Sequence, residues 1–364
     1  MAESLDRYHR QMLLPGIGPE GQARLRAAKI LVIGCGALGT VISNMLCRAG
    51  VGHLVLVDRD EIEITNLQRQ ILFDEEDVAN ALPKAEAAKQ KIARINSQVK
   101  VTAVVNDLNH TNVESIADGC QILMDGVDNF ETRFLINDVA VKHAIPYVYG
   151  GAVGTVGMTY TILPHTSSGT SDWEAAGKAT PCMRCIFDQA PPPGLNPTCD
   201  TAGVLGPVVS VIANYQSAEA IKILTGNWEA INTNMLHLDL WQNAFHEFAV
   251  GSAYETADCA CCHHHRFEYL DGQRSGATTT LCGRNAVQIR QVATSESHKL
   301  DFDQIAQRLR PHGSVRTNKF MLRAEIVDHD QPYELTLFPD GRAIVKGTKQ
   351  PNVAKSIYAK YVGG

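Results

Sequence analysis

Gly34-Cys35-Gly36-Ala37-Leu38-Gly39 follows the apolar run from Lys29 to Ile33 and spells G-x-G-x-x-G. Glycines at that spacing let a phosphate approach backbone N–H groups at a helix N-terminus, where the helix dipole favours negative charge. A second apolar run, His53 to Val57, ends at Asp58. In a dinucleotide-binding unit the acid at that point hydrogen-bonds a ribose hydroxyl. These two features specify an adenine nucleotide or dinucleotide and nothing finer. Asn66-Leu67-Gln68-Arg69-Gln70 comes next. Hydride transfer has no use for an arginine there. Cleavage of ATP does, because charge shifting on the phosphates calls for a cation.

Three more charged residues belong with this set. Arg10 lies on an N-terminal arm, Lys84 follows Pro83, and Asp128 lies in Asp125-Gly126-Val127-Asp128-Asn129. The last segment follows an apolar strand, at the carboxyl end where open α/β sheets bind ligands. A carboxylate there can hold Mg2+ on a triphosphate, since Mg2+ takes one or two carboxylates plus phosphate oxygens. Taken singly, each residue is an ordinary solvated charge. Taken together, they describe a triphosphate site.

Cys182-Met183-Arg184-Cys185 and Cys259-Ala260-Cys261-Cys262 give two C-x-x-C knuckles, enough for a tetrahedral zinc site of four cysteines. Four protein ligands leave no open position, so the expected role is structural. Cys261 and His263-His264-His265 stay open as alternative ligands; Cys259 and Cys262 are preferred because their spacing matches the first knuckle. Cys199 lies in Asn196-Pro197-Thr198-Cys199-Asp200. A loop thiol is a candidate nucleophile, although Asp200 beside it disfavours the thiolate. Cys35, Cys47, Cys120 and Cys282 have apolar or glycine neighbours and read as small core residues.

The elements that must position these groups alternate from residue 30 to 150. Helices are predicted over 38–49, 83–96 and 131–144, with Pro83 suited to a first helical position. Strands are predicted over 99–105, 121–124 and 147–149. This alternation predicts an α/β fold with a doubly wound, Rossmann-like, mostly parallel sheet. A Ser-, Gly-, Thr- and Pro-rich stretch from His165 predicts a crossover loop to about residue 206. Val208, Val211, Ile212 and Tyr215 then resume helical spacing, with Gly226 as C-cap. Residues 235–250 read as strands. The expected domains are 1–265, which binds nucleotide, and 266–364, a small α+β domain. In the latter, helices are predicted over 301–310 and 353–361. A hairpin is predicted from 333–338 to 343–345, with Asp340-Gly341 as its turn signal.

Composition excludes several classes. Across 364 residues, 33 Lys and Arg against 39 Asp and Glu give a net charge of −6, which weighs against a nucleic-acid partner. No run of eighteen apolar residues exists, so no membrane span is expected. Met1 to Asp6 has neither a basic n-region nor an apolar h-region of a secretory signal. Ten cysteines without such a signal point to a reducing, cytoplasmic setting and to metal ligation or thiol chemistry rather than disulfides.

Arg7-Tyr8-His9-Arg10-Gln11, Gly34–Gly39, Asn66–Gln70, Asp125–Asn129, Pro181–Cys185 and Cys199–Pro207 occur in one order. In this the chain resembles the ThiF/MoeB/HesA group of ubiquitin-activating-type adenylyltransferases, over about residues 1 to 262. The resemblance implies a homodimer that binds Mg-ATP. It would adenylate the C-terminal Gly-Gly of a small ubiquitin-fold sulfur carrier and release pyrophosphate, a step in thiamine or molybdenum-cofactor synthesis. It implies a nucleotide set of Gly34, Gly36, Gly39, Asp58, Asn66, Arg69, Gln70, Lys84, Asp128 and Asn129. Asp58 would hold the ribose, Arg69 and Lys84 the phosphates, and Asp128 Mg2+. Arg10 would reach the other subunit's site, and Cys182, Cys185, Cys259 and Cys262 would hold zinc. Cys199 matches a thiol that in some members bonds covalently to the activated carrier. A fused rhodanese domain is not seen; Cys282-Gly283-Arg284-Asn285 falls too near the start of the second domain to be its loop. Sulfur is therefore expected from a separate desulfurase or rhodanese.

The chemistry suits this set independently. A carboxylate attacking an α-phosphate is already a nucleophile at neutral pH, so positioning and charge neutralisation suffice. An NAD-dependent dehydrogenase would explain Gly34 to Asp58 but leave Arg69, Lys84, Asp128 and the knuckles idle. A non-catalytic partner subunit would have lost the phosphate ligands. A relative that activates a tRNA base is disfavoured by the acidic balance.

Overall fold

The computed structural model describes residues 5–166, 169–189, 202–274, 278–281, 285–289, 300–328, 331–339 and 341–362. They fall into two compact units, the first ending at Arg274.

The first unit is built on eight strands: β1 (Lys29–Ile33), β2 (His53–Val57), β3 (Lys100–Val104), β4 (Leu123–Asp125), β5 (Tyr147–Val153), β6 (Val156–Ile162), β7 (Met235–Asp239) and β8 (Ala244–Phe248). Their order in the sheet is β3-β2-β1-β4-β5-β6-β7-β8. The first five run parallel, as the strand–helix alternation predicts. From β5 onward the pairing is antiparallel, because β5 and β6 are joined by Gly154-Thr155 alone and so short a link can only form a hairpin. The chain builds outward from β1 to β3, then returns to place β4 on the other side of β1. That reversal is a topological switch point, where open sheets leave a crevice at the strands' carboxyl ends.

Helices cover both faces. In chain order they are α1 (His9–Met12), α2 (Gly18–Ala27), α3 (Ala37–Ala49), α4 (Glu75–Ala79), α5 (Lys84–Ile95), α6 (Val113–Ala117), α7 (Phe130–Lys142), α8 (Asp172–Ala175), α9 (Met183–Ile186), α10 (Gly206–Thr225) and α11 (Ala253–Thr256). On one face Leu46 of α3, Ala88 of α5 and Ile212 of α10 pack together; on the other, Phe134 and Val139 of α7 share a core with Cys182, Cys259 and Cys262. After their first residues, Lys29 and His53, the central strands β1 and β2 are apolar because both their faces are buried. Gly226 caps α10 in the left-handed conformation, as predicted.

Three details differ from the sequence reading. Pro83 is the N-cap and Lys84 the first helical residue; a proline ring tolerates either place. Part of the predicted loop is folded: Ser171 and Glu174 form a capping box that starts α8, and the Trp173 indole N–H donates to the Pro164 carbonyl at 2.9 Å. The S-x-x-E signature was present in the sequence. Residues 266–274 pack with the first unit, since Tyr269 stacks on Phe134 and the Tyr269 and Leu270 N–H groups donate to Asp138.

The second unit is an antiparallel sheet of β9 (Thr278–Leu281), β10 (Ala286–Ile289), β11 (Gly313–Thr317), β12 (Leu322–Asp328), β13 (Gln331–Leu337) and β14 (Ala343–Lys346), in the order β11-β12-β13-β14-β10-β9. Helices α12 (Phe302–Leu309) and α13 (Pro351–Tyr361) bury Ile305, Leu309 and Ile357 in its core. Asp301 caps α12, accepting from the N–H groups of Asp303 and Gln304. The predicted hairpin is present as β13–β14, with Gly341 at φ +83°; Asp340 lies outside the described residues. Among the described residues no helix is long and apolar enough to cross a membrane.

Candidate active site and metal centre

The switch point is walled by backbone. A Cβ on Gly34 would lie 2.5 Å from the Gly126 carbonyl oxygen, and one on Gly39 would lie 1.8 Å from that of Gly34. Both glycines are therefore demanded by the protein's own packing. Gly36 differs: its nearest protein atom would be 3.8 Å away. The middle glycine thus borders open space, where a close backbone approach by a ligand would be sterically allowed.

Asp58 closes this loop from β2. One carboxylate oxygen accepts from Cys35 N–H at 2.7 Å and the other from Asp60 N–H at 2.7 Å. Burial pushes the Asp58 carboxyl above its ordinary range, and Lys84 pulls against that. Lys84 is only 3% exposed and its ammonium pairs with Asp60 at 3.2 Å. A buried lysine of this kind holds its charge only beside an acid. Arg59 pairs with Asp107 at 2.8 Å. Burial works against the Arg59 charge, and Asp107, Asp60 and Asp128 together hold it up. Asp128 is thus near enough to Arg59 to act on its charge.

The other predicted residues divide. Asn66 is buried and its side-chain Oδ1 accepts from Glu63 N–H at 3.0 Å, an architectural bond. Gln70 is buried beside it, and its Oε1 has no hydrogen-bond partner among the described residues. Such an orphan marks a place that water or a ligand completes. Arg69 is half-buried and donates to the Thr65 carbonyl at 3.0 Å. Asn129 caps α7, accepting from Thr132 N–H at 2.9 Å. Arg10 is exposed on α1, whose neighbour Gln11 donates to the Ala49 carbonyl at the far end of α3. That thirteen-residue helix puts about 20 Å between the arm and Gly36. Within one chain, Arg10 is not brought to the set. Cys199 lies outside the described residues, as does Cys282.

Sequence reasoning missed the groups that hold the Asp125–Asn129 loop. Asp125 is fully buried; it accepts from Arg133 Nε at 3.1 Å and from the Tyr147 hydroxyl at 2.8 Å. Arg133 Nη2 also donates to the carbonyls of Val127 and Gly150, at 2.8 and 2.9 Å. Burial works against the Arg133 charge, but Asp125, Tyr149 and Tyr147 together outweigh it and hold the guanidinium protonated. Gln216 of α10 donates to the Asp125 carbonyl at 2.9 Å. The available signal was an arginine on the first turns of α7, eight residues past Asp125.

The knuckles converge. The sulfurs of Cys182, Cys185, Cys259 and Cys262 all lie within 4.8 Å of one another. Three of the separations are 3.8, 3.6 and 3.2 Å; four thiolates around a tetrahedral zinc stand about 3.8 Å apart. The set can hold a zinc ion. Cys261 is outside it, accepting from Asn137 Nδ2 at 3.4 Å. The histidines have other partners: His263 lies edge-on to Tyr254 and His264 pairs with Asp258. Cys35, Cys47 and Cys120 are buried, as the sequence suggests, and burial pushes the thiols of Cys47 and Cys120 up to about 11.

The profile of the ThiF family matches residues 8–261. The chain belongs to the ThiF family. Among its ThiF relatives, the sulfur carrier protein ThiS adenylyltransferase of Bacillus subtilis (strain 168) is 40% identical over 358 residues, covering 98% of this chain and 99% of the relative. A sulfur carrier protein adenylyltransferase of Thermus thermophilus is 38% identical over 248 residues, 68% of this chain and 88% of the relative. The crystal structure of E. coli MccB with ATP shares the fold, with a TM-score of 0.58 and 23% identity over 72% of this chain and 75% of that one. The near end-to-end match to the Bacillus ThiF relative includes the second unit.

Proposed function

We propose that the chain uses ATP to adenylate the C-terminal carboxylate of a ubiquitin-fold sulfur-carrier protein, releasing pyrophosphate, on the way to a thiocarboxylate for thiamine or molybdenum-cofactor synthesis. The observation that carries this reading is the near end-to-end similarity to a ThiS adenylyltransferase; the bonds that join Asp58 to the glycine loop and Lys84 to Asp60 support it.

The carrier's carboxylate attacks the α-phosphorus and the pyrophosphate leaves. The chain supplies no base, because the nucleophile is already ionised at neutral pH. Its residues bind and neutralise: the amides of the glycine loop meet phosphate, Asp58 the ribose, and Lys84 and Arg69 the charge that passes to the leaving group. Mg2+ would be held by Asp128 and would offset phosphate charge. Arg10 serves the partner's site in a homodimer. Its distance from its own Gly36 supports this, as do the exposed Leu13 and Leu14 on the same arm. Zinc is held by the four cysteines and stabilises the fold. Cys199 is the thiol that bonds covalently to the activated carrier, its sulfur taking the acyl group as AMP leaves, and sulfur is delivered by a separate desulfurase or rhodanese.

The test is exchange of labelled pyrophosphate into ATP. It should depend on a ThiS- or MoaD-like carrier ending in Gly-Gly and vanish when that carrier lacks its last glycine. Nicotinamide-nucleotide binding without any carrier-dependent exchange would overturn the reading.

A further inference from the structure

Helix α7 touches both centres. Arg133 and Asn137 are four residues apart, so they share one face of the helix, about 6 Å apart along its axis. Arg133 grips the loop that carries Asp128 at two points, the Asp125 carboxylate and the Val127 carbonyl, and ties it to the Gly150 carbonyl on β5. Asn137 is fully buried and grips both knuckles. Its Oδ1 accepts from Met183 N–H at 2.8 Å, directly after Cys182, and its Nδ2 donates to Cys261 Sγ at 3.4 Å, directly before Cys262. Asp138, the next residue, holds the chain beyond the second knuckle through the N–H groups of Tyr269 and Leu270.

Such contacts do more than fill a core. A buried asparagine or arginine is tolerated only when its polar atoms are met, and truncating it strands its partners. Here the stranded partners would be the Met183 amide at one end and the Asp125 carboxylate at the other. A helix between them is a stiff element, since its own backbone bonds leave no soft joint.

We infer that α7 is a strut. Asn137 takes its position from the cysteine centre, and Arg133 passes that position to the Asp125–Asn129 loop. Occupancy of the metal centre then sets how tightly nucleotide is held. Both are positioning residues and neither touches the reacting atoms. The inference rests on the roles proposed above for Asp128 and the four cysteines, and gives the metal a part in nucleotide binding besides stability.

Linkage makes this testable, because two coupled sites must strengthen each other by the same factor. Zinc binding is measured on the whole chain by competition with a coloured chelator, with and without Mg-ATP; nucleotide binding is measured by calorimetry. Saturating Mg-ATP should tighten zinc binding about tenfold, and Asn137→Ala with its zinc retained should bind Mg-ATP about tenfold more weakly. Adding Asn137→Ala to Asp128→Ala should weaken binding no further, because both act through one loop. Arg133→Lys keeps the charge beside Asp125 but loses the carbonyls. It should show weak nucleotide binding with full zinc content, and it carries the test if Asn137→Ala does not fold. Zinc affinity indifferent to Mg-ATP, or wild-type nucleotide affinity in the folded strut variants, overturns the strut alone. Wild-type affinity in Asp128→Ala overturns the reading of the site and the strut with it.

Discussion

Asp58 accepts the Cys35 backbone N–H at 2.7 Å, so the acid at the end of β2 and the glycine loop after β1 form one hydrogen-bonded unit. Its second oxygen already serves the Asp60 N–H. A ribose hydroxyl must therefore use the lone pairs that remain, and any change at Asp58 alters the phosphate loop along with the sugar contact.

Lys84→Ala and Asp128→Ala should each lower carrier-dependent pyrophosphate exchange by about 100-fold or more, the scale for losing one preorganised charge in a site with no covalent alternative. Circular dichroism would check that both chains fold. Wild-type exchange in folded variants would remove these residues from the site.

Cys182→Ser should lower zinc content and melting temperature together, because the metal's binding energy is also folding energy. Metal analysis and thermal melts on the same preparation decide it. Carefully purified wild-type protein without zinc would refute the assignment.

Arg10→Ala and Lys84→Ala should complement one another. If Arg10 acts across a dimer, mixed dimers carry one site with both residues intact, and exchange should return to roughly a quarter to a half of wild type, by the statistics of closed two-fold pairs. Reassociated mixed dimers that stay inactive would put Arg10 back in its own chain.

Glu174 supplies a pH dependence. Burial opposes its charge, but hydrogen bonds from Thr166 and Ser171 outweigh that and draw the carboxyl from 4.5 to about 2. A folded value below the unfolded one gives stability that is complete above about 4.5 and lost as pH falls toward 2. Trp173, next to Glu174, reports on this segment by fluorescence. Glu174→Gln should remove the part of the acid transition in that window; identical acid titrations of variant and wild type would dismiss the contribution.

Much of the site was legible because its signals are local. Gly34, Gly36, Gly39 and Asp58 announce themselves by spacing to adjacent apolar runs, and the knuckles by C-x-x-C. What escaped was non-local. Arg133 reads as a charge on a helix until the sheet brings the Gly150 carbonyl to it. Asn137 is an ordinary helical asparagine until two segments 77 residues apart close over it. The exclusion of Cys261 also depended on the fold, because only the direction of each side chain separates it from its neighbour Cys262. The antiparallel turn after β5 was signalled only by Gly154-Thr155, a signal blurred by Gly150, Gly151 and Gly157 close by.

The two knuckles are 77 residues apart. A zinc ion between them is a cross-link, and β7, β8 and α10 all lie inside the ring it closes. A permanent link over that many residues would subtract chain entropy from the unfolded state worth about 4–5 kcal/mol. A metal link is revocable: an unfolded chain that keeps its zinc stays constrained and refolds from a smaller ensemble, whereas one that meets a chelator loses that constraint at once. The supply of free zinc then governs not only how stable the protein is but how readily it recovers after unfolding.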